Sequence, residues 1–232
     1  MKSFSSLNQQ ITGCTRCPRL RTHCATITQV KRAAYKTEVY WGKPVPGFGS
    51  PKARLWIVGL APGAHGANRT GRVFTGDSSG DWLYSALYRF GFSSAPNSLN
   101  SNDELRLLDT YISCVCRCAP PDNKPTLKEI ANCSSYLAAE WELLKSPPLI
   151  LTLGQIAFQE IIKLLMANYQ IKRQSDWKFR HGALYKVGET RVMVSYHPSQ
   201  QNTATKRLTL SMWNAIFKRA SRELKDHSLR KD

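Results

Sequence analysis

The sequence predicts an α/β protein in which a small parallel sheet is covered by helices on both faces. Of the 232 residues, 42% are hydrophobic and 10% are aromatic, which is enough to form a core and excludes a disordered basic chain. Four short apolar runs alternate with longer segments of helical periodicity, as in repeated β-α-β units. At this length we expect one domain spanning residues 1–232.

Each strand candidate is a short apolar run bounded by residues that break regular structure. Such runs are typical of parallel strands that are buried on both faces. The candidates are residues 54–60 (RLWIVGL), 111–115 (YISCV), 149–153 (LILTL) and 191–196 (RVMVSY). Four strands suffice for a small sheet.

Helical periodicity fills the intervals between these runs and the end of the chain. The predicted helices cover residues 82–90, 126–144, 155–169 and 208–226. The second of them opens with Thr126, and Glu129 follows three residues later. This spacing predicts a capping box, in which each side chain binds the backbone N–H of the other residue.

The two ends of the chain carry no strand candidate. Residues 1–51 are polar and basic, and their last part, 43–51 (KPVPGFGSP), is dense in proline and glycine. This composition predicts an extended, turn-rich N-terminal arm. The basic tail 225–232 is expected to be disordered.

The chain carries a large positive charge. Its 33 Lys and Arg against 16 Asp and Glu leave a formal net charge of +17. Such an excess favours a polyanionic partner such as nucleic acid, because each neutralised phosphate releases condensed counterions, although a solvated basic surface is the alternative. No stretch approaches the roughly 18 apolar residues of a membrane span, and no secretory signal is recognised, so we expect a soluble, cytoplasmic protein.

Ligands of open parallel sheets bind beyond the carboxyl ends of the strands, so residues that follow a strand are the first candidates for function. The segment 59–77 is rich in glycine, which lets the backbone approach a ligand, and Arg69 and Arg72 add phosphate-binding groups. The segment lacks the spacing of a nucleotide phosphate loop or a dinucleotide fingerprint. The other segment with candidate functional side chains is 197–202 (HPSQQN). It places His197 in a turn after the last strand, where the imidazole could polarise a substrate or transfer a proton.

The seven cysteines are an odd number in a chain expected to be intracellular, so they are interpreted as metal ligands and buried thiols. Cys14 and Cys17 form a C-x2-C pair, and Cys118 and Cys133 supply a looser second pair. Four thiolates suit either zinc or an iron-sulfur cluster. Cys24 is an alternative ligand to Cys17. The remaining cysteines, expected to be buried thiols, are Cys114 and Cys116.

Together these segments resemble the uracil-DNA glycosylase superfamily and, within it, the iron-sulfur family 5, also called type 5 or B-type. The resemblance covers most of the chain, from residue 14 to about residue 210. The matching motifs are 14–20 (CTRCPRL), 40–49 (YWGKPVPGFG), 59–72 (GLAPGAHGANRTGR), 74–77 (FTGD), 117–121 (RCAPP), 197–199 (HPS) and 201–203 (QNT).

The resemblance implies a fold and a chemistry. The expected fold is the three-layer α/β/α fold of uracil-DNA glycosylases, with a sheet of about four parallel strands. The expected activity is base excision repair of DNA: a monofunctional hydrolysis of the N-glycosidic bond that removes uracil and leaves an abasic site. Other deaminated bases such as hypoxanthine are expected substrates. The protein is expected to be a monomer that flips the base out of the duplex.

The resemblance also favours iron over zinc. It implies that a [4Fe-4S] cluster is held by Cys14, Cys17, Cys118 and Cys133, with zinc as the alternative. These ligands would tie the N-terminal arm to the loop after the second strand. The cluster is therefore expected to be a structural clamp that takes no part in turnover.

Catalytic roles follow from the motif positions. Cleavage leaves negative charge on the uracil and positive charge on the sugar, so a hydrogen-bond donor and a carboxylate are required. By resemblance His197 is the donor, Asp77 is the carboxylate and Asn123 has a supporting role. Related families have an acidic or amide residue after the first glycine of the loop, whereas this chain has Leu60, so Asp77 is the nearest candidate carboxylate.

The base pocket is expected around the loop that follows the first predicted strand. The loop backbone would form its floor, and Phe74 would stack on the extruded base, an interaction of about 1–3 kcal/mol per base. Related iron-sulfur glycosylases have an asparagine where this chain has Cys114. A thiol is a weak hydrogen-bonding group, so broad base specificity is expected. The residues expected to contact the base are Gly59, Leu60, Ala61, Phe74, Cys114 and Ser199.

The residues expected to contact DNA outside the pocket are Arg69, Arg72, Gln200, Gln201 and Asn202. Gln200 or Gln201 would be the wedge that separates the strands, although polar side chains wedge poorly. Leu60 favours an alternative function, a non-catalytic iron-sulfur or zinc DNA-binding module on the same scaffold. A zinc-dependent phosphohydrolase is disfavoured because the chain lacks a His/Asp cluster with an open coordination position.

Overall fold

The computed structural model describes residues 3–172 and 177–229. Within them, six strands form one sheet in the order β1-β3-β2-β4-β6-β5. The strands are β1 (Phe48–Gly49), β2 (Leu55–Gly59), β3 (Thr110–Cys114), β4 (Leu149–Leu153), β5 (Leu184–Val187) and β6 (Thr190–Ser195). The α-helices are α1 (Phe4–Thr12), α2 (Pro18–Val30), α3 (Ala67–Thr70), α4 (Ser78–Arg89), α5 (Leu127–Leu143), α6 (Gln155–Asn168), α7 (Gln200–Ala204) and α8 (Leu210–Leu229).

The four central strands run parallel in the order β3-β2-β4-β6, and they are the four strands that the sequence predicts. Every residue of β2, β3 and β4 is buried, because helices cover both faces of the sheet. Gly59 pairs with Cys114, and Leu153 pairs with Ser195. The carboxyl ends of the four strands therefore meet at one edge, which we call the carboxyl edge.

The sheet has six strands, not four, because an antiparallel strand is added on each side. The two-residue β1 pairs with β3, and β5 pairs with β6 in a hairpin. Neither strand has the continuous apolar run of a buried strand, since β1 is a Phe-Gly pair and most of β5 is partly exposed. Their sequences therefore carry a weaker signal than those of the central strands.

Helices form a layer on each face of the sheet, which confirms the predicted three-layer α/β/α architecture. On one face, Leu83 of α4 packs with Trp213 and Phe217 of α8. On the other face, Trp141 of α5 and Phe158 of α6 belong to a second cluster. Of the helices in residues 3–172 and 177–229, none is both long and apolar enough to cross a membrane.

The prediction of an extended arm over residues 1–51 is wrong for residues 4–12 and 18–30, which form helices α1 and α2. Helix α1 buries Leu7 and Ile11, spaced four residues apart, in a cluster that includes Tyr136 of α5. Only a narrow stripe of this helix is apolar, so its polar composition conceals it. Residues 43–47 have no regular structure, as their proline and glycine content predicts.

Capping residues decide where two of the predicted helices begin. Thr126 and Glu129 form the predicted capping box of α5. Helix α4 begins four residues before the predicted start, because the Asp77 side chain accepts a hydrogen bond from the Gly80 N–H. Helix α8 continues to Leu229, which corrects the prediction of a disordered tail for residues 225–229. The rest of that tail, residues 230–232, lies outside the described residues.

Candidate active site

Four of the predicted site residues meet at the carboxyl edge. The ring of Phe74 stacks with the imidazole of His197, with 5.8 Å between the centroids and 29° between the planes. A Cβ built on Gly59 would lie 2.6 Å from Phe74 Cζ and 3.6 Å from Cys114 Sγ. Glycine at this position therefore lets the Phe74 ring lie directly against the end of β2.

The backbone of Phe74 is strained. Its φ of +53° lies in the left-handed region, which costs energy for a bulky L-residue. The first turn of α4 packs against the same backbone, because a Cβ on Gly80 would lie 1.9 Å from the Phe74 carbonyl oxygen. Glycine is a poor helix former, and this close contact explains its presence at position 80.

Asp77 lies between the glycine-rich loop and helix α4. Its Oδ1 accepts the hydrogen bond from the Gly80 N–H at 3.0 Å, so the predicted N-cap role is present. Its Oδ2 faces the loop, since a Cβ on Gly63 or Gly66 would lie 2.7 or 2.1 Å from that atom. Burial raises the pKa of Asp77 above 3.8, while the N–H groups of Gly80 and Ser79 lower it in part. One carboxylate oxygen is thus fixed by the helix and the other faces the loop.

His197 is half-buried after the end of β6. Its carbonyl oxygen accepts a hydrogen bond from Asn202 Nδ2 at 2.9 Å, which ties the turn to helix α7. Burial lowers the pKa of His197 from 6.5 to about 4, so the imidazole is neutral at neutral pH. Neither ring nitrogen has a hydrogen-bond partner within residues 3–172 and 177–229, so the ring retains one free N–H donor there.

The other predicted pocket residues surround this group. Leu60 and Ala61 are partly exposed in the loop, and the Leu60 carbonyl accepts the Cys116 N–H at 2.8 Å, which extends the β2-β3 pairing. Cys114 is buried, and burial raises the pKa of its thiol to about 12, so it is neutral. Ser199 caps α7 by accepting the Asn202 N–H at 3.3 Å.

The prediction that Arg69 and Arg72 bind phosphate does not fit the structure. Arg69 forms an ion pair with Glu38, donates to the carbonyl oxygens of His65 and Gly76, and lies over the Tyr35 ring. Its side chain is 9% exposed. Both guanidinium groups instead bind partners within the protein. The spacing of residues in a loop cannot reveal these partners. For Arg72, which is 5% exposed, the partners are Asp103, Ser98 and the Ser101 carbonyl.

The remaining predicted residues lie near the surface. Asn123 is exposed at the end of a 3-10 turn with φ +57°, and no hydrogen bond joins its side chain to Asp77 or His197. Its supporting catalytic role stays a prediction. Gln200 and Gln201 are exposed on α7, so their role as a wedge also stays a prediction.

The sequence reasoning assigned no role to His65, which lies in the same glycine-rich loop. The Tyr40 hydroxyl and His65 Nδ1 are hydrogen-bonded at 3.0 Å. The segment that carries Tyr40 is itself held to α3, because the Trp41 N–H donates to the Arg69 carbonyl at 2.8 Å. Burial and the nearby cations Arg32 and Arg69 lower the pKa of His65. A histidine inside a functional loop is a sequence signal that could have indicated this contact.

The four predicted metal-ligating cysteines lie in three segments of the chain, and all three segments lie beside helix α2. Cys17 immediately precedes α2. Its Sγ accepts a hydrogen bond at 3.4 Å from Nδ2 of Asn132, which is the residue before Cys133 on α5. Farther along α2, Arg21 Nη1 lies 4.0 Å from Cys118 Sγ. Cys17 and Cys118, from two different segments, therefore both lie beside helix α2.

A cysteine outside the predicted ligand set lies beside two of its members. Cys24 packs in one buried cluster with Cys17 and Cys118, and its thiol donates to the Ala119 carbonyl at 3.6 Å. Cys116 is buried, as predicted. Nowhere in the described ranges, 3–172 and 177–229, do three Cys, His, Asp or Glu side chains come close enough together to hold a metal ion. The chemistry of the donor set nevertheless suits a thiolate-ligated metal centre, and Arg21 would offset thiolate charge.

The chain is similar to known proteins over most of its length. The model of the uracil-DNA glycosylase superfamily matches residues 46–222. The type-5 uracil-DNA glycosylase of Mycobacterium tuberculosis (strain CDC 1551 / Oshkosh) is 46% identical over 222 residues, 95% of this chain and 81% of that protein. Proteins of the same name from Thermus thermophilus and Pyrobaculum aerophilum are 46% and 40% identical, over 92% and 94% of this chain and 95% and 92% of their own lengths. The chain belongs to the uracil-DNA glycosylase superfamily, in its type-5 branch.

Proposed function

We propose that this protein is a DNA repair glycosylase that flips uracil out of DNA and hydrolyses its N-glycosidic bond, leaving an abasic site. The observation that carries the proposal is the stacked pair of Phe74 and His197 at the carboxyl edge, with the half-buried carboxylate of Asp77 on the same loop as Phe74. The type-5 uracil-DNA glycosylases that the chain resembles support the choice of base.

His197 supplies the hydrogen bond that the leaving base needs. When the glycosidic bond breaks, negative charge accumulates on the uracil carbonyl oxygens, and a fixed N–H donor lowers the energy of that charge. The imidazole is neutral, because burial holds its pKa near 4, and it still carries one N–H. Asn202 fixes the backbone of the turn that presents the ring.

Asp77 supplies the negative charge on the sugar side. The transition state of glycoside cleavage resembles an oxocarbenium ion, which a carboxylate stabilises, and the same group can orient the attacking water. The hydrogen bond from the Gly80 N–H holds Oδ1, so Oδ2 is the atom available for this role. The neighbouring Gly63 and Gly66 carry no side chain that would cover Oδ2.

The pocket is proposed to accept more than one deaminated base, including hypoxanthine. Phe74 would hold the base by stacking, which is tolerant of sequence because every base has a π-face. The neighbouring Cys114 is a neutral, buried thiol and offers only weak hydrogen bonds for reading the base edge. Asn123 is proposed to assist only once DNA is bound, since it is exposed in the free protein.

The test is a single-turnover assay of base release from a uracil-containing duplex under reducing conditions. Asp77→Asn keeps a side chain that can cap α4 but removes the negative charge, and we expect the rate to fall about 100- to 1000-fold. Asp81→Asn, at an exposed carboxylate in the first turn of the same helix, is the matched control and should change the rate little. If the unaltered protein binds the duplex but releases no base, the non-catalytic DNA-binding module is the correct assignment.

We further propose that Cys14, Cys17, Cys118 and Cys133 hold a [4Fe-4S] cluster. The support is the convergence of the three cysteine-bearing segments on α2 and the position of Arg21 beside Cys118. When bound, the cluster would supply a structural cross-link between these segments, and the residues around it would only position the loops that meet DNA.

Metal and sulfide analysis of the purified protein tests this assignment. We expect iron and acid-labile sulfide in equal amounts, whereas zinc without sulfide would overturn it. Cys17→Ser and Cys24→Ser form an informative pair, because Cys24 is buried in the same cluster as Cys17 and Cys118 and is the alternative ligand. Loss of iron in Cys17→Ser with retention in Cys24→Ser supports the proposed set, and the reverse result contradicts it.

A further inference from the structure

A second stacked cluster lies next to His197 at the carboxyl edge. The Tyr196 ring stacks with the imidazole of His181, with 5.0 Å between the centroids and 17° between the planes. The guanidinium carbon of Arg207 lies 4.8 Å from the centroid of the same Tyr196 ring. Neither His181 nor Arg207 belongs to the base pocket described above.

The turn that carries His181 is firmly attached to the sheet and to helix α8. The Gly182 N–H donates to the Val194 carbonyl at 2.8 Å, and Arg219 Nη1 donates to the Gly182 carbonyl at 2.9 Å. The Tyr196 N–H donates to His181 Nδ1 at 3.1 Å. Because Nδ1 accepts this bond, the proton of the neutral ring is on Nε2, which has no hydrogen-bond partner in the described part of the chain.

Four exposed cations lie in the two chain segments that carry this cluster, and we call them the basic rim: Lys178, Arg180, Lys206 and Arg207. Two of them, Lys206 and Arg207, lie in residues 196–207, a segment that contains no Asp or Glu. Within residues 3–172 and 177–229, none of the four forms an ion pair. By contrast, Arg191 at the other end of β6 is paired with Glu223 at 2.6 Å.

The position over the Tyr196 ring orients Arg207 without neutralising it. A guanidinium group stacks well on an aromatic ring while its N–H groups remain available in the plane, and this geometry suits bidentate binding of phosphate. An exposed arginine without such support would lose more side-chain entropy on binding an anion. The Arg207 side chain is therefore partly preorganised for an anionic ligand.

We propose that the basic rim binds the phosphates of the DNA strand beside the extruded nucleotide, with Arg207 as its principal contact. Tyr196 and His197 are adjacent in the chain, so a strand whose base enters the pocket at His197 passes close to Tyr196. The His181 Nε2–H adds a neutral donor in the same place. This inference rests on the proposed glycosylase function, because it takes the pocket at His197 as the site of the extruded base.

The affinity for a duplex with a stable abasic-site analogue, measured at salt concentrations from about 50 to 200 mM, tests the proposal in the full-length protein. We expect Arg207→Ala to weaken binding about tenfold and to reduce the slope of log K against log salt by about 0.9 for each phosphate that the variant can no longer bind. Arg180→Ala should have a smaller effect in the same direction. Arg222→Ala is the control. Arg222 is exposed on α8, close in the chain to Leu224. The Leu224 carbonyl accepts a hydrogen bond from Arg54, which lies at the edge of the sheet opposite to the carboxyl edge.

Two outcomes are decisive. If Arg207→Ala and Arg180→Ala both behave like Arg222→Ala in affinity and in salt slope, the basic rim does not bind DNA. Uracil release by the unaltered protein is measured separately. A protein that releases no uracil, yet shows the reduced slope in Arg207→Ala, would contradict the glycosylase proposal and still support the DNA-binding surface.

Discussion

The rings of Phe74 and His197 stack at 5.8 Å in the free protein, so the residue proposed to hold the base and the residue proposed to donate a hydrogen bond to it are in contact before DNA binds. The distance lies within the range of an offset aromatic pair. A base that enters the pocket must therefore share or replace this contact. Gly59, Gly80 and the strained backbone of Phe74 together hold its ring in place for that exchange.

Gly59→Ala should disturb the base pocket, because the added Cβ would overlap Phe74 Cζ at 2.6 Å. We expect single-turnover uracil release to slow roughly 10- to 100-fold, since misplacing Phe74 removes its stacking contribution. Gly13→Ala is the control, because its Cβ would meet only the Gln9 carbonyl at an ordinary 3.5 Å. Equal rates for the two variants would exclude a role for Phe74 in holding the base.

Asp77→Asn should lose activity without losing stability at neutral pH. Burial raises the pKa of Asp77 in the folded state, so folding favours the protonated side chain and ionisation at pH 7 works against folding. Asparagine removes that charge and still caps α4. We expect a thermal unfolding midpoint at pH 7 equal to or above that of the unaltered protein. A midpoint that falls would show that the charge of Asp77 stabilises the fold.

The rate of uracil release should fall on the acid side as Asp77 becomes protonated, at a pH above the ordinary 3.8 of an aspartate. Between that pH and neutrality the rate should be nearly flat, because the pKa of His197 is about 4 and the ring is already neutral there. A pH profile of the single-turnover rate measures this. A steep fall near pH 6.5 would indicate that a histidine with an ordinary pKa controls the reaction.

His197 should make the fold sensitive to acid. Its pKa is about 4 when folded and 6.5 in the unfolded reference, so the unfolded chain binds the proton more readily and stability is lost as the pH falls from about 6.5 towards 4. Urea unfolding at a series of pH values should show a shallower acid loss for His197→Gln than for His23→Gln on α2. Identical pH dependences in the two variants would argue against a buried, neutral imidazole.

The buried ion pair of Arg117 and Glu140 should be the most sensitive structural contact near the cysteines. Both side chains are at most 1% exposed, Arg117 Nη2 lies 2.6 Å from Glu140 Oε2, and Tyr111 donates to the other carboxylate oxygen at 3.1 Å. Glu140→Leu would leave a buried unpaired cation, a cost of about 3–5 kcal/mol. Lys186→Ala, at an exposed pair with Glu189, should cost less than about 1 kcal/mol. Thermal unfolding under reducing conditions compares them.

Local patterns in the sequence predicted the central fold and the residues that meet at the carboxyl edge. The four apolar runs are the four parallel strands, and Thr126 and Glu129 form the predicted capping box. Residues that follow the carboxyl ends of parallel strands in one sheet lie at the same edge, so this reasoning could place Phe74 and His197 at one edge, although β4 lies between β2 and β6. The edge strands and helices α1 and α2 were missed because their apolar patterns are short or narrow.

Tertiary structure alone decided what the polar side chains do. Arg69 and Arg72 look like phosphate ligands in the sequence, but their partners Glu38 and Asp103 lie 31 positions away in the chain, so spacing cannot reveal the pairing. Arg207, by contrast, is exposed and stacks on Tyr196. The sequence by itself determined the four central strands, the motifs and the net charge of +17, because these depend on local periodicity and composition. Which cations remain free for DNA depends on contacts between distant segments, and only the folded chain brings those segments together.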